Sequence, residues 1–487
     1  MAAIAGILKQ QQQESVEQMI QSLRHRGEDQ CEIRQVGDLS AGVCSPSLSA
    51  ERGNGLAEKD GTVVLLDGEI YNARPEGQSD ADVILDLYRQ HGRTFAGHLH
   101  GVFACAIYDN GELLLARDAV GVRPLYWGLA ADGTLCFASE VKALVGRVES
   151  VHDLLPATSY SSRSGLAGYV VHYPDVTIPA EFEPAVAEVR KTMTAAVQRR
   201  LDDGAVGACL LSGGLDSSII ACVAAERGAT DLPLITVGMD GASDVENAKI
   251  VAEHLGMEHH IHSYEPADIA ELVPRAVRTL ESFDEDCVSG TISNLFASGK
   301  AREFTNCILS GEGGDELFGG YHLLKDLPTE AGRLKMMHRL VEVAYNTALQ
   351  RLDRAMMGNG ITYRTPFIDT NVIALALQLP IRWKIHDSGQ GKWIEKHILR
   401  EAFKDILPDA IYRRVKLRFA AGTGTDDLMD RIAGEAMDVA ELTEETRNTP
   451  GGYRLNSPKE LWYYNIFKAD FPDLQFEKLV GRWDPGK

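Results

Sequence analysis

The stretch LLSGGLDSS, at Leu210–Ser218, constrains the fold of this chain more than any other feature. An apolar run ends at Leu211, and helix-forming residues follow from about Ser217. Small, hydroxylated and acidic residues fill the turn between them. In open α/β sheets, ligands bind outside the carboxyl ends of strands, and a helix N-terminus there attracts anions. The stretch therefore predicts a phosphate-binding turn at the edge of a parallel sheet.

The residues of this turn have the chemistry of a polyphosphate site. Gly213 and Gly214 let backbone N–H groups approach phosphate oxygens closely. Additional hydroxyl donors come from Ser212, Ser217 and Ser218. An aspartate in such a pocket repels phosphate unless a cation bridges the two, so we expect Asp216 to bind Mg²⁺. The alternative is an ordinary glycine turn that caps a helix; a Walker A loop is excluded because no Gly-Lys-Ser/Thr follows.

A second glycine-rich string, LSGEGGDELFGGY at Leu309–Tyr321, also follows an apolar strand. It carries carboxylates at Glu312, Asp315 and Glu316 among five glycines, and a structural turn seldom needs so many acids. Asp315 would bind the same Mg²⁺ as Asp216, and Glu312 would accept a proton during catalysis. The two strings together predict one nucleotide site built at two strand ends.

Composition excludes several other classes of protein. The chain has 487 residues, enough for two or three domains, and its net charge of −21 comes without a lysine or arginine run, so we expect no nucleic-acid partner. No apolar stretch reaches the ~18 residues of a membrane span, and the N-terminal segment turns polar too early for a secretion signal. The eight cysteines form no CxxC pair. We therefore expect a cytoplasmic protein with reduced thiols and no membrane partner.

The pattern of apolar residues divides the chain into three parts. Residues 1–150 contain short β-type runs and one helix, SDADVILDLYRQHG, with Ser79 and Asp82 as capping residues. Residues 151–184, which include a stretch rich in serine and glycine, are predicted to be a linker. In residues 185–487, strands alternate with helices before a mostly helical part, which favours a doubly wound parallel sheet. The predicted fold class is therefore α/β.

Further strings make the chain similar to the asparagine synthetase family, which includes glutamine-dependent asparagine synthetases, β-lactam synthetases and lasso-peptide cyclases. They are GEIYN, SDADVILDLY, RDAVGVRPLYWG, the two glycine-rich strings, RTPFID at Arg364–Asp369 and GKWIEKHILREAF at Gly391–Phe403. The resemblance covers nearly the whole chain. It implies an N-terminal Ntn-hydrolase-like αββα sandwich of glutaminase type and a C-terminal ATP-pyrophosphatase (PP-loop) domain with a doubly wound parallel sheet.

The resemblance also implies a reaction in two steps: ATP converts a substrate carboxylate to an acyl-adenylate, with release of pyrophosphate, and an amine then attacks to form an amide. The residues that would hold the nucleotide are Leu210, Ser212, Gly213, Gly214, Leu215, Asp216, Ser217, Ser218, Val237 and Gly311. Lys396 would neutralise pyrophosphate, and Lys416 would stabilise charge on the acyl oxygen. ATP and Mg²⁺ are the expected cofactors, with Mg²⁺ on Asp216 and Asp315, and the resemblance implies a homodimer.

The N-terminal part departs from the family pattern where a glutaminase needs its chemistry. Family members have Met-Cys-Gly-Ile, whose cysteine is the nucleophile, where this chain has Met-Ala-Ala-Ile at residues 1–4. The oxyanion-stabilising Asn-Gly reads Asp67-Gly68, and the aspartate that holds the glutamine amino group reads His100. The arginine for the glutamine carboxylate is missing from VCSPSL, and Cys44 lies outside the nucleophile motif. We therefore expect a degenerate glutaminase domain that packs on the synthetase half.

The nitrogen must then come from ammonia, from an amine substrate, or from an amine within the acylated molecule. GEGGDE with Glu312 is the pattern of asparagine synthetases proper, whereas β-lactam synthetases have tyrosine there, paired with a glutamate for which this chain offers Gln350. We expect intermolecular attack by ammonia or a small amine on a small-molecule carboxylic acid. Intramolecular ring closure and a catalytically silent binding homologue are the alternatives. The acid stays open, because Asp284, Glu285 and Asp286 in the predicted acid pocket are either solvated or select an amine-bearing acid.

His259, His260 and His262 lie close enough in sequence for a zinc hypothesis. Alternation along a strand places His260 and His262 on one face, but the sequence offers no cysteine or other third ligand nearby. We therefore interpret these residues as strand-end histidines in a polar stretch rather than as a metal site.

Overall fold

The computed structural model describes residues 2–46, 52–389, 393–415, 422, 425–436, 443 and 446–482. These residues form two domains of different architecture. One continuous cluster of buried apolar side chains includes residues of both domains, for example Ala3 and Val16 from the first and Val189 and Ile219 from the second. The domains therefore share part of their hydrophobic core.

The N-terminal domain contains two six-stranded antiparallel sheets. The strands of the first sheet are β1 (Ala3–Leu8), β2 (Gln30–Val36), β3 (Leu39–Ser45), β8 (Tyr126–Leu129), β9 (Leu135–Ala138) and β10 (Ser150–Asp153). Those of the second sheet are β4 (Leu56–Lys59), β5 (Thr62–Ile70), β6 (Gly101–Asp109), β7 (Glu112–Arg117), β11 (Thr158–Ser161) and β12 (Gly165–Gly168). The spatial orders are β10-β8-β9-β1-β3-β2 and β12-β11-β7-β6-β5-β4.

Two helices complete the layers of this domain. Helix α1 (Gln13–Ser22) buries Val16 and Met19 against the first sheet, and α2 (Asp80–His91) buries Ile84 in the cluster that lies on the second sheet. Apolar side chains of both sheets fill the space between them. Helix α2 begins with the predicted capping box: the Ser79 hydroxyl accepts from the Asp82 N–H, and the Asp82 carboxylate accepts from the Ser79 N–H. The predicted αββα sandwich is confirmed.

The prediction that the thiols are reduced is wrong for two of the eight cysteines. Cys31 on β2 and Cys44 on β3 are direct cross-strand partners and form a disulfide. The sequence gives no signal for this pair, because their apposition depends on the register of two strands joined by a short turn. The other six cysteines are free and buried, in agreement with their interpretation as small core residues.

The segment predicted as a linker is partly structured. Strands β11 and β12 lie within residues 151–184, and both are hydrogen-bonded in the second sheet. Only residues 169–181 lack a regular element before α3 (Phe182–Leu201) opens the second domain.

The second domain is built on a five-stranded parallel sheet of order β15-β14-β13-β16-β17. Its strands are β13 (Ala208–Leu210), β14 (Leu234–Gly238), β15 (His259–Ser263), β16 (Cys307–Leu309) and β17 (Thr362–Arg364). The helices that connect them are α4 (Leu215–Glu226), α5 (Ser243–Leu255), α6 (Pro266–Leu280), α7 (Glu285–Ala301), α8 (Gly314–Phe318), α9 (Leu323–Asp326), α10 (Glu330–Val343) and α11 (Ala348–Met357). The chain runs outward in one direction from β13 and then returns to β16 on its other side, so the topological switch point lies between β13 and β16.

The remaining part of the chain is mostly helical, as predicted. It contains α12 (Thr370–Gln378), α13 (Ile381–Lys384), α14 (His397–Phe403), α15 (Asp409–Tyr412), α16 (Thr425–Ala436), α17 (Pro458–Asp470) and α18 (Leu474–Glu477). A small hairpin of β18 (His386–Asp387) and β19 (Trp393–Ile394) precedes α14. None of the helices in the described part of the chain combines the length and the apolarity that crossing a bilayer requires.

Lys384 provides a pH test of this packing. It is 2% exposed, and burial lowers the pKa of its ammonium group to about 7. In the unfolded chain the same group has a pKa of ~10.4. The buried charge therefore lowers the free energy of unfolding most at pH 7 and below, and this loss of stability shrinks as the pH rises toward 10. We predict that Lys384→Met raises the thermal unfolding midpoint at pH 7 and that the gain shrinks steadily up to pH 10. A gain that is constant over this range would contradict the prediction.

Candidate active site

A large cavity lies at the switch point of the parallel sheet. Strands β13 and β16 are neighbours, with Cys209 opposite Leu309, so the loops that follow them meet at the same edge. These loops are residues 211–214, which lead into α4, and residues 310–313, which lead into α8. The cavity between them has a volume of about 390 Å³, which is large enough for a small-molecule site.

Most of the residues predicted from the sequence line this cavity. They are Leu210, Ser212, Gly214, Leu215, Asp216, Ser217, Val237, Gly311, Glu312, Asp315 and Lys396. Gly213, in the same turn, and Ser218, in the first turn of α4, do not line the cavity. Lys416 lies outside the described residues, and its predicted role stays a prediction.

Serine hydroxyl groups stabilise the turn after β13 through hydrogen bonds. The Ser212 N–H donates to the Ser217 hydroxyl at 3.1 Å, and the two serine hydroxyls are 2.9 Å apart. Gly213 has a φ of +68°, and a Cβ there would lie 2.4 Å from the Asp244 carbonyl oxygen, so the turn requires glycine. The Ser218 hydroxyl donates to the Gly214 carbonyl at 2.7 Å, which gives it a structural role. The first turn of α4 consequently faces the cavity, where its N–H groups favour an anion.

The two glycine-rich loops touch at two glycines of the second string. A Cβ at Gly311 would lie 2.7 Å from the Ser217 nitrogen, and one at Gly314 would lie 2.7 Å from Asp216 Cγ. A Cβ at Gly320 would lie 1.8 Å from Asp315 Oδ1 of the same string. Because real Cβ contacts are never this short, side chains at Gly311 and Gly314 would separate the loops, and one at Gly320 would displace Asp315. The glycines therefore bring the two predicted magnesium ligands to one place.

Asp216 and Asp315 share one buried cation. The Lys396 Nζ atom lies 2.6 Å from Asp315 Oδ1 and also contacts the Asp216 carboxylate. Lys396 is 1% exposed and has a φ of +54°, a left-handed conformation that costs a non-glycine residue roughly 1 kcal/mol. Two carboxylates within reach of one cation, beside a helix N-terminus, form the oxygen-rich and anion-binding set that Mg²⁺ and a polyphosphate require. The residues present therefore fit MgATP.

Other charged side chains fix these groups in place. The Arg414 guanidinium donates to the Gly213 carbonyl and to the Asp244 carboxylate. These bonds connect Arg414, two residues before Lys416 in the sequence, to the turn at residues 211–214. Glu395, next to Lys396, accepts from Lys325 at 2.8 Å and from Arg400 at 3.0 Å. Each of these cations at the nucleotide end of the cavity is thus held in place by a carboxylate.

At the other end of the cavity, Glu312 meets an arginine that sequence reasoning missed. Arg351 on α11 donates to the Glu312 carboxylate at 3.1 Å, and its side chain crosses α7 at Gly290, where a Cβ would lie 2.5 Å from Arg351 Cδ. The expectation that Gln350 lies near Glu312 is wrong, because Gln350 is not part of the cavity wall and donates to the Leu280 carbonyl at 2.9 Å. Helical spacing was the available signal: Ala348, Arg351 and Leu352 share one face and line the cavity.

The three acids of the predicted acid pocket have different positions. Asp284 caps α7 by accepting from the Cys287 N–H at 2.9 Å, and Glu285 accepts from the Ser457 hydroxyl at 2.6 Å. Asp286 lines the cavity, together with Cys287, Gly290 and Asn294 further along the same helix. The structure therefore places one of the three acids at the site and uses the other two to position α7 and the C-terminal helices.

The positions that correspond to a glutaminase site are occupied by buried hydrogen bonds. The Asp67 carboxylate accepts from the Ala2 N–H at 3.1 Å and from Arg26 at 2.9 Å, and it is fully buried. The His100 imidazole lies 3.0 Å from the Thr370 hydroxyl of the other domain. Cys44, the alternative nucleophile, is held in the disulfide with Cys31.

The histidine cluster at the sheet edge does not form a metal site. His259 Nε2 lies 2.8 Å from the Thr236 hydroxyl, while His260 and His262 pack on Phe304 and Phe296. Within the described ranges, no group of three or more histidine, cysteine or carboxylate side chains is arranged to hold a metal ion.

The fold defines a protein in which a glutamine amidotransferase-type sandwich precedes an ATP-pyrophosphatase-type domain. The Glutamine amidotransferase domain profile matches residues 1–161, and the Asparagine synthase profile matches residues 188–337 and 325–454. The chain belongs to the asparagine synthetase family, whose members are ATP-dependent ligases that use Mg²⁺.

Curated relatives match almost the whole chain. An asparagine synthetase [glutamine-hydrolyzing] of Asparagus officinalis is 33% identical over 488 residues, which cover 92% of this chain and 81% of that protein. The enzyme of Sandersonia aurantiaca is 31% identical over 93% of this chain and 92% of its own length. Asparagine synthetase [glutamine-hydrolyzing] 3 of Arabidopsis thaliana is 30% identical over 92% of this chain and 83% of its own length.

The loop contact can be tested at Gly314. We predict that Gly314→Ala pushes the Asp216 carboxylate away from Lys396 and weakens MgATP binding by about tenfold, the factor that corresponds to ~1.4 kcal/mol. The thermal unfolding midpoint should change little, because the new methyl meets a side chain. Gly434→Ala on α16, where a Cβ would contact nothing within 4 Å, is the matched control and should bind MgATP like the parent protein. Unchanged MgATP affinity in Gly314→Ala would contradict the assignment.

Proposed function

We propose that this protein is an ATP-dependent amide-forming ligase that adenylates a small carboxylic acid and transfers the acyl group to ammonia or a small amine, without hydrolysing glutamine. One observation carries the proposal: Asp216, Asp315, Lys396 and the Glu312–Arg351 pair line a single cavity at the switch point. The same chain has alanine at residue 2 and a buried aspartate at residue 67. An intact synthetase site thus accompanies an altered glutaminase site.

The first step forms the acyl-adenylate. A substrate carboxylate oxygen attacks the α-phosphorus of ATP, and the bond to pyrophosphate breaks. The charge that accumulates on pyrophosphate is stabilised by the first turn of α4, by the turn at residues 211–214 and by Lys396. Asp216 and Asp315 would hold Mg²⁺, which supplies further neutralisation of the phosphate charge when bound. Leu210 and Val237, at the ends of β13 and β14, would contact the nucleoside.

The second step transfers the acyl group to nitrogen. The amine attacks the acyl carbon, AMP leaves, and the nitrogen must lose a proton. Glu312 lies in the cavity as a carboxylate beside the Arg351 guanidinium, so it is in position to accept that proton. Lys416 would stabilise charge on the acyl oxygen during the transfer.

The acid substrate would carry an amine. Asp286 lies on the wall of the cavity and adds a negative charge near Arg351 and Glu312. A carboxylate in this position favours a substrate with a cationic group over a plain dianion. Of the two alternatives for Asp284, Glu285 and Asp286, the position of Asp286 supports the proposal of an amine-bearing acid.

The N-terminal domain supports glutamine independence through its buried bonds. An oxyanion that formed near residue 2 would meet the Asp67 carboxylate, which repels it. Asp67 cannot turn away at low cost, because it accepts from Ala2, Arg26 and the Ser139 hydroxyl in the interior. Ammonia would therefore reach the synthetase site from solution.

Two alternatives belong to different classes. Ring closure within one substrate is disfavoured by the Glu312–Arg351 pair and by the absence of Gln350 from this end of the cavity. A silent binding homologue is disfavoured because it has no need to keep metal-binding, phosphate-binding and proton-accepting groups together. The proposed partners are small molecules and, through the N-terminal domains, a second copy of this chain; we propose no nucleic-acid or membrane partner and a cytoplasmic location.

ATP–pyrophosphate exchange on a panel of carboxylic acids tests the proposal. We expect exchange with an amine-bearing acid, and product mass in the presence of ammonia should show an intermolecular amide. A product that has lost water within one substrate would establish ring closure. No exchange with any acid would favour the silent homologue and overturn the proposal.

Two substitutions separate the two steps. Asp216→Ala should abolish exchange, because the carboxylate that Lys396 and Mg²⁺ require is lost. Glu312→Gln should leave exchange intact and slow amide formation by roughly 10²-fold, the usual contribution of a general base. Equal losses of both steps in Glu312→Gln would refute its role as the proton acceptor.

Glutamine turnover provides a third measurement. We predict that incubation with glutamine, with or without ATP, releases no glutamate at a rate above that of buffer. Amide formation should respond to ammonium chloride and be unaffected by added glutamine. Turnover at enzyme-like rates would show that the N-terminal domain is an active glutaminase.

A further inference from the structure

A group of buried charged residues joins the N-terminal domain to the acid end of the cavity. We call this group the interdomain charge cluster: Arg26, Asp67, Glu140, Glu281, Asp353 and Arg354. Each of them is at most 5% exposed. Three come from the N-terminal domain and three from the synthetase domain, so the cluster spans the interface.

On the N-terminal side, Arg26 is the centre of the cluster. Its guanidinium donates to Asp67 at 2.9 Å, to Glu140 at 2.8 Å and to Asp353 of the other domain at 2.7 Å. The Ala2 N–H also donates to Asp67. The residue that stands at the oxyanion position is thereby bound into the domain interface.

On the synthetase side, the cluster holds two separate segments. Arg354 donates to Glu281 at 3.0 Å, and Arg123 of the N-terminal domain donates to Asp353 at 2.7 Å. Glu281 in turn accepts from the backbone N–H groups of Val141 at 3.1 Å and Lys142 at 2.8 Å. Donors of the N-terminal domain therefore bind synthetase-domain carboxylates in two separate segments, at Asp353 and at Glu281.

Both segments form walls of the acid end of the cavity. Asp353 and Arg354 lie on α11, two and three residues beyond Arg351, which binds Glu312 at 3.1 Å. Glu281 ends α6 just before α7, whose Gly290 packs against the Arg351 side chain. A shift of either segment would move Arg351 relative to Glu312.

The energetics of buried charges make the interdomain charge cluster resistant to rearrangement. Removing six charged groups from water is expensive, and only well-placed partners offset the cost. If one member loses its partner, the others are left as uncompensated buried charges, which is strongly destabilising. The cluster therefore favours one arrangement of the two domains and one position of α11.

We propose that the N-terminal domain of this protein is a positioning scaffold for acid binding: the interdomain charge cluster holds α11 and the start of α7 so that Arg351 stays beside Glu312. Arg26 and Glu140 are its positioning residues. They act through Asp353, Arg354 and Glu281, at a site that the proposed ligase function requires. This gives the domain a role in the reaction in the absence of glutamine hydrolysis.

Hydrogen–deuterium exchange of the full-length chain tests the connection without any substrate. In Glu140→Gln, amide exchange of 348–357 and 285–301 should accelerate at least about tenfold, as a loss of ~1.4 kcal/mol of local stability produces. Exchange of 215–226, at the nucleotide end, should stay unchanged. Asp132→Asn, which breaks the exposed Lys9–Asp132 pair of the same domain, is the control and should leave all three segments unchanged. If amide hydrogen exchange of residues 348–357 is unchanged in Glu140→Gln, the proposed scaffold role is wrong.

Kinetics with the acid found by the exchange panel provide the second readout. Glu140→Gln should raise KM for the acid by about tenfold and leave the MgATP dissociation constant within about twofold, since only the acid end depends on α11. A purely structural role would lower the amount of folded enzyme and change neither constant. Lys142→Met, which removes a 23% exposed partner of Glu140 and Glu281, is the milder variant should Glu140→Gln fold poorly, and it should shift both readouts in the same direction. If the acid and MgATP affinities fall equally, the proposed scaffold role is wrong. If the parent protein activates no acid, the ligase function is refuted, and hydrogen–deuterium exchange alone then decides the scaffold role.

Discussion

The parallel pairing of β13 with β16 is the interaction on which the rest of the site depends. It places two loops, distant in the sequence, at one sheet edge, and the glycines at 311 and 314 let them touch. Without that approach, Asp216 and Asp315 would not share Lys396. The positions of the α4 N-terminus and of Glu312 then follow from ordinary loop and helix geometry.

The sequence was informative wherever the determining interactions are local. The Ser79–Asp82 capping box and the glycine-rich turn at Leu210–Ser218 each depend on residues a few positions apart, and both were predicted correctly. Arg351 was missed because a shift of one residue on a helix turns a side chain by 100°, enough to exchange it with Gln350. The Cys31–Cys44 disulfide was missed because it depends on strand register. Which of Asp284, Glu285 and Asp286 faces the cavity required the position of α7 itself.

The two domains use charge in contrasting ways. The cavity of the synthetase domain holds charged groups where a ligand with phosphates and a metal would complete them. In the N-terminal domain, Asp67 and Arg26 are satisfied by the protein itself. Removal of one of these residues would leave its partners as uncompensated buried charges. The proposed loss of glutamine hydrolysis is therefore compatible with the retention of these buried polar residues.

The backbone of Lys396 has a consequence for how this fold can change. Its left-handed conformation is one that glycine or asparagine adopts with the least strain, yet neither carries a cation to place between two aspartates. At position 396, backbone stability thus favours glycine or asparagine, whereas the ion pairs with the two aspartates require lysine. A homologue that has no need of a cation at this position would gain stability from glycine or asparagine there.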